Sequence, residues 1–301
     1  MTPFFGNTER VWWIETLQLS IACVSIVLNG VLLRSNYRRT ESRWATDGIL
    51  ITLTAILDLI LGAYLITNSS IRFTHPELVR DNSDWCTLTF IMGRAFGLAC
   101  LVLVALLSLV RYLVIVRGHK PHPRRWTCIS LFICLFLPIL FSVRAKLSTL
   151  YVFPSKLYCS PVQTESGFFP HFVAVVFYGL SLPPLVIIPF CYASVSFHYS
   201  RLVSNIYGGE TSTRAKIREK IIGTTIIVIS YWFVILPDFI QLLAFRQYGF
   251  ITNPYLDGLV CCLSNCISLI NALFPLLYHE EIRREASYIL SRHKVSVYSL
   301  N

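Results

Sequence analysis

A bundle of seven membrane-spanning helices is the all-α fold class that the sequence predicts, and three observations predict it. The chain is 54% hydrophobic and 14% charged, whereas soluble domains carry about 25% charged residues. Its mean hydropathy is +0.60. Seven apolar runs reach the roughly 20 residues that a helix needs to cross a bilayer. They are Val11–Leu33, Gly48–Thr67, Cys86–Val116, Trp126–Val143, Phe172–Ser196, Ile221–Phe245 and Pro254–Tyr278. A length of 301 residues then suits one bundle: a leader over 1–10, the helices over 11–278 and a tail over 279–301.

The leader MTPFFGNTER carries one arginine, and the apolar run behind it is too long for the h-region of a cleavable signal. The first span is therefore expected to act as the targeting signal. The third run is the most informative. From Cys86 to Arg111 it covers roughly 37 Å at helical rise, more than the ~30 Å hydrocarbon core. Its two ends must lie on opposite sides of the membrane. The fourth run is the shortest. No self-similar period and no inverted pair of broken segments is present, which argues against a transporter built from repeats.

Basic residues predict the orientation. Arg34, Arg38, Arg39 and Arg43 follow span one; Arg111, Arg117, Lys120, Arg124 and Arg125 follow span three. Arg201, Arg214, Lys216, Arg218 and Lys220 follow span five, and Arg283, Arg284, Arg292 and Lys294 follow span seven. The opposite side holds Arg10, Arg72, Arg80, Arg144, Lys146, Lys156 and Arg246. Positive residues stay cytoplasmic, so the N-terminus is expected outside and the C-terminus in the cytoplasm. The net charge of +10 thus points to a membrane lipid surface and to no nucleic acid.

Most of the ten cysteines (Cys23, Cys100, Cys128, Cys134, Cys191, Cys261, Cys262, Cys266) sit inside apolar runs, as small buried hydrophobes do. Only Cys86 and Cys159 lie at segment ends or in loops, on the expected outer side. A single bridge between them would require an oxidising compartment. The sequon Asn68-Ser69-Ser70 falls on the same side, close to the membrane surface, and makes Asn68 a candidate glycosylation site. After the last span, Ile282, Ala286, Ile289 and Leu290 share one helical face, which predicts a short amphipathic helix along the inner leaflet.

Read together, the spans resemble the rhodopsin-like (class A) G-protein-coupled receptors over nearly the whole chain. Span one has Asn29-Gly30 and span two has Ala55-Ile56-Leu57-Asp58. Span three has Cys86 at one end and Arg111-Tyr112 at the other. Span five has Pro184 with Tyr192 eight residues on, span six Pro237, and span seven Pro275-Leu276-Leu277-Tyr278. The chain also departs from the family. Val110 stands where an acid usually precedes the arginine, and Ile235 where span six usually has tryptophan. Phe274 stands where asparagine usually precedes the proline, and span four has Trp126 only at its edge.

The resemblance implies a plasma-membrane receptor that binds a small extracellular ligand and activates a heterotrimeric G protein. Asp58, near the bilayer centre, is expected to anchor a polar cluster with Asn29, Ser108 and Asn271, because an intramembrane carboxylate needs partners. In the family that cluster holds a sodium ion; Phe274 removes one polar group from it, which weakens the expectation here. No other cofactor is implied. Arg111 is the group that would bond carbonyls of an inserted partner helix. Tyr112, Tyr192 and Tyr278 lie toward the same mouth, and Tyr192 and Tyr278 are expected to meet Arg111 when the bundle opens. Pro237 and Pro275 supply kinks about which helices swing. With Val110 beside it, Arg111 lacks its usual restraint; Glu219 is the candidate substitute, and raised basal signalling is expected.

For the ligand, the outer half of the bundle offers Arg94, Asp238, Gln241 and Ser264, with Tyr178 and His171 nearby. Arg94 lies roughly 26 Å from Arg111 along the helix, so it belongs to an outer cavity. It either neutralises Asp238 or receives a polar ligand. Gly93 stands where amine receptors carry aspartate, and Ser268 where light receptors carry the retinal-binding lysine. Those substitutions argue against an amine and exclude a retinal Schiff base. The short leader leaves no hormone-binding domain.

Two competing classes fit less of the chain. A channel or transporter with the same fold would line a path with midplane charges, and only Asp58 and Arg94 are so placed. An intramembrane enzyme would carry Gly-x-Gly-Asp, Gly-x-Ser-Gly or His-Glu-x-x-His; His279-Glu280-Glu281 completes none of them.

Overall fold

Seven helices are long and apolar enough to cross a bilayer, and they pack as one bundle. The computed structural model describes residues 12–38, 46–75, 83–147, 150–153, 155, 157–161, 168–206, 211–248, 253–278 and 282–288. The side chains of residues 151, 160–161, 169–170, 174, 202–220, 224, 242–248 and 278 lie outside that description. The chain is an all-α, multi-pass membrane protein.

The spans are Trp12–Arg38, Thr46–Thr74, a third described below, Pro123–Leu147, Phe168–Ile206, Thr211–Tyr248 and a broken seventh. Several outrun their apolar cores. Hydropathy marks only the part matched to hydrocarbon, whereas backbone hydrogen bonding continues into polar ends until a breaker intervenes. The breakers are local. Gly118, at φ +64°, turns the chain out of span three, a conformation that favours glycine. Pro123 then opens span four, where the missing N–H has no helical partner to lose. Asn253 caps span seven by accepting from the Tyr255 and Leu256 amides at 2.9 and 3.3 Å, with Pro254 in the first turn.

Span three is central: 61% of its apolar window is buried, against 22–50% for the other spans. Leu98, Leu103 and Val110 contribute to a core that continues through Ile188, Tyr192, Tyr231 and Phe274. This span is not the continuous α-helix that its sequence predicts. It runs as Ser83–Phe90, a π-helical turn over Ile91–Phe96, and Gly97–Ile115. The π turn adds a residue to one turn, a device that re-aims side chains and recurs at functional sites; Arg94 sits within it. Span seven is also split, into Pro254–Asn265 and Ile267–Tyr278 around Cys266.

Span one closes tightly on its neighbours. A side chain added at Gly62 or Gly258 would put its first carbon 2.8 Å from Ile26 Cγ1 or 2.5 Å from Ile14 Cδ1. Arg72, counted above as a loop cation, lies in the last turn of the second helix, 3% exposed, and donates to Gln18 Oε1 at 2.8 Å.

Between spans four and five the chain folds back as two short antiparallel strands, β1 (Leu150–Val152) and β2 (Cys159–Pro161), with Val152 opposite Cys159. A disulfide joins Cys159 to Cys86, with Cα atoms 5.2 Å apart, and fixes the hairpin to the top of span three. At the opposite end, residues 282–288 form a helix that buries Ile282 and Ala286 under the bundle while Arg283, Ser287 and Tyr288 are exposed. Arg38 and Glu285 lie 3.9 Å apart and link it to span one. Ile289 and Leu290, expected on the same face, lie outside the described residues, as do the leader and the tail beyond 288.

Asn68 corrects an expectation. It is 1% exposed, inside span two, and its amide approaches the Leu157 carbonyl at 3.5 Å. The folded chain offers no glycan acceptor there, because a bulky sugar needs an exposed asparagine.

Candidate functional site

Three polar layers are stacked along span three. At the disulfide end, the π turn aims Arg94 at Asp238 of span six, and its Nη1 donates to Oδ2 at 2.8 Å and Oδ1 at 3.1 Å. The same guanidinium lies 5.3 Å from the centroid of the Tyr158 ring. Tyr158 is carried in by the hairpin and donates its hydroxyl to Asp257 Oδ1 at 2.6 Å. Gln241 of span six donates to that same oxygen, and the Ser155 amide to Oδ2 at 3.0 Å. Asp257 is fully buried in the first turn of span seven, where the helix dipole favours a carboxylate. Burial, reinforced by the Asp257 carboxylate, holds the Tyr158 phenol well above its ordinary pKa. It is a hydrogen-bond donor throughout the physiological range.

The mouth is therefore filled and not open, which differs from the cavity expected above. Phe153 stacks on Tyr158 at 4.4 Å, and Phe153 and Leu157 are 2% and 3% exposed. Leu157 packs with Ile14, Ile21 and Cys262 of spans one and seven. Of the residues predicted for the outer site, Arg94, Asp238 and Gln241 converge. Ser264 has a buried hydroxyl that makes no hydrogen bond among the described residues. Tyr178 meets Phe239 edge to face at 6.2 Å, one turn from the ion pair. His171 is exposed at the start of span five. Tyr158 and Asp257 were not singled out from sequence. An acid in a helix's first turn and a tyrosine beside the disulfide cysteine were the signals available.

The middle layer joins spans two, seven and six. Asp58 is fully buried and accepts from Asn271 Nδ2 at 3.0 Å. Asn271 in turn accepts from the Tyr231 hydroxyl. The Cys100 thiol of span three faces the same carboxylate. The two other expected partners point elsewhere. Asn29 donates to the Ser25 and Ser268 carbonyls at 3.0 and 3.2 Å, clamping span one to the break in span seven. Ser108 donates to its own helix at Val104, 2.8 Å away, and lies beside the Tyr192 phenol. Sodium needs converging oxygens, yet Asn271 turns its nitrogen toward Asp58 and spends its oxygen on Tyr231. Asn271 therefore offers no oxygen to an ion, while Asp58 Oδ1 and Asn29 Oδ1 accept no hydrogen bond among the described residues. A cavity with space for about one water lies alongside, lined by Asn29, Thr54, Tyr231, Asn271, Phe274 and Pro275.

Asp58→Ala is expected to leave the Asn271 amide without its acceptor and to cost about 1–3 kcal/mol. Asp58→Asn, which still accepts, should cost less. Thermal unfolding of the purified protein in detergent checks both.

At the third layer, Arg111 donates from Nη1 to the Tyr192 hydroxyl at 3.2 Å. Its guanidinium carbon lies 4.5 Å from the centre of the Phe274 ring, and that ring meets Tyr192 edge to face at 5.3 Å. Phe274 thus gives the arginine a cation–π platform where the family pattern has asparagine. Tyr112 packs on Phe190 at 5.8 Å and accepts from Arg117 Nε at 3.0 Å. Val110 is 2% exposed and belongs to the core, so no acid sits beside Arg111 in sequence. Tyr278 and Glu219 have side chains outside the description. Pro275 flanks the water-sized cavity, one residue from Phe274. Pro237, inside span six, immediately precedes Asp238 of the ion pair.

No known protein family matches this chain, and no curated protein matches it.

Proposed function

We propose that the chain is a rhodopsin-like G-protein-coupled receptor of the plasma membrane, with its N-terminus outside and its C-terminus in the cytoplasm. Its outer site, around Arg94, Asp238 and Gln241, takes a small extracellular ligand. Its inner mouth, around Arg111, activates a heterotrimeric G protein. The single observation that carries this reading is the engagement of Arg111 with Tyr192 and Phe274 at one end of span three. A basic residue at a helix end would otherwise extend into water or headgroups. Here two aromatic side chains from spans five and seven hold it over the bundle axis. There it can meet the carbonyls of an inserted helix.

The middle layer supports the same reading. Asp58, Asn271 and Tyr231 form a hydrogen-bonded chain across three spans between the two sites. A rearrangement at one end therefore has a physical route to the other. The disulfide suits an oxidising exterior.

The test is nucleotide exchange on a panel of purified heterotrimeric G proteins, with the receptor in lipid nanodiscs. Wild type is expected to accelerate exchange on at least one of them, and Arg111→Ala to abolish that acceleration while folding normally. Equal exchange by the two proteins, or none by wild type with or without a ligand library, would contradict the reading.

A further inference from the structure

We propose that Tyr158 is the resident ligand of the outer site, so that the receptor is activated by its own hairpin loop. The inference rests on the receptor reading above. A diffusible ligand in such a bundle would have to touch several spans at once, fill the mouth and satisfy its polar groups. The loop does the first two and gives its own phenol an acceptor, while Gln241 Oε1 and Ser264 Oγ make no hydrogen bond among the described residues. Its Tyr158 hydroxyl donates to Asp257 of span seven, whose same oxygen also accepts from Gln241 of span six. The ring lies beneath the Arg94 guanidinium of span three, which is itself held by Asp238 of span six. Phe153 stacks on the ring, and Leu157 reaches spans one and seven.

The chain also lowers the entropic cost of this occupancy. Cys159 follows Tyr158 directly and is bonded to Cys86 at the top of span three. The phenol is therefore presented at a high effective concentration, and its side chain has few rotatable bonds to freeze. A free molecule would have to displace a donor that binds a fully buried carboxylate. At the far end of the same bundle, with the loop seated, Arg111 contacts Tyr192. That is the arrangement expected of the open mouth. The occupied outer site and the engaged inner arginine occur together in one structure.

Two variants test the inference, each read by ligand-free nucleotide exchange at matched protein amount. Tyr158→Phe removes only the hydroxyl and keeps the ring against Arg94 and Phe153. Asp257→Asn keeps the acceptor's shape and removes its charge. Losing a hydrogen bond to a charged group corresponds to about tenfold in an equilibrium, so each is expected to lower ligand-free exchange by about that factor. Disulfide formation, read by gel mobility with and without reductant, reports that the loop still folds. Seating is read separately by nitration of Tyr158 in intact protein, quantified by mass spectrometry. Wild type should be protected and Asp257→Asn reactive. Protection of Tyr158 with exchange unchanged or raised in Tyr158→Phe would overturn self-activation and leave the receptor reading standing. Absence of ligand-free exchange from wild type on every G protein would overturn self-activation alone, and absence with the ligand library as well would overturn the receptor reading.

Discussion

Arg94→Ala is expected to destabilise the protein by about 3 kcal/mol. The reason lies with the partner left behind. Asp238 receives both of its ion-pair hydrogen bonds from one Arg94 nitrogen. Without that cation, the Asp238 carboxylate is left without its counter-charge in a mouth that already holds the Asp257 carboxylate. The Arg94 and Asp238 side chains keep 17% and 27% exposure, which places the expected cost at the lower end of what a fully buried pair would lose. Replacing both partners with apolar residues of similar size removes the conflict. Arg94→Met with Asp238→Leu should recover most of the lost stability. A double-mutant cycle read by thermal unfolding checks this. If the single variant unfolds at the wild-type temperature, the pair has no structural weight.

Cys159→Ala is expected to cost about 2 kcal/mol and to reduce delivery of the protein to the cell surface. The bridge closes a loop of 73 residues, which in a free chain would be worth about 4 kcal/mol. Most of that loop is spans three and four. Inserted helices remain inserted when the bundle loosens, so the unfolded state has less freedom for the bridge to remove. Cys86→Ala should match Cys159→Ala, and the double variant should be no worse than either. Surface labelling and thermal unfolding of the three variants provide the measurement.

The seven spans were legible because length and apolarity are one-dimensional properties that hydrocarbon imposes on the sequence. The start of span seven at Pro254 was legible as well, whereas span four, read from Trp126, begins at Pro123. The pairing of Cys86 with Cys159 was legible too, since the other cysteines lie within spans. The π turn around Arg94 and the break at Cys266 were not. Both cost little in local propensity and are selected by contacts with other helices. The polar partners divided in the same way. Asn271 meets Asp58 as expected, but Asn29 and Ser108 turn to nearer backbone carbonyls. Tyr158 and Asp257 depend on a loop folding back across some 100 residues of chain, a distance that no periodicity encodes. Phe274, a departure from the family pattern on the page of residues, is in space the ring under Arg111.

Arg111, proposed as the signalling group, contacts Tyr192 and Phe274 and has a valine, not an acid, before it in sequence. Ligand-free G-protein activation by Val110→Asp, at surface amounts matched to wild type, tests that proposal most directly. An acid beside the arginine should draw it away from Tyr192, and activation is expected to fall well below that of wild type. Activation equal to wild type would contradict the claim.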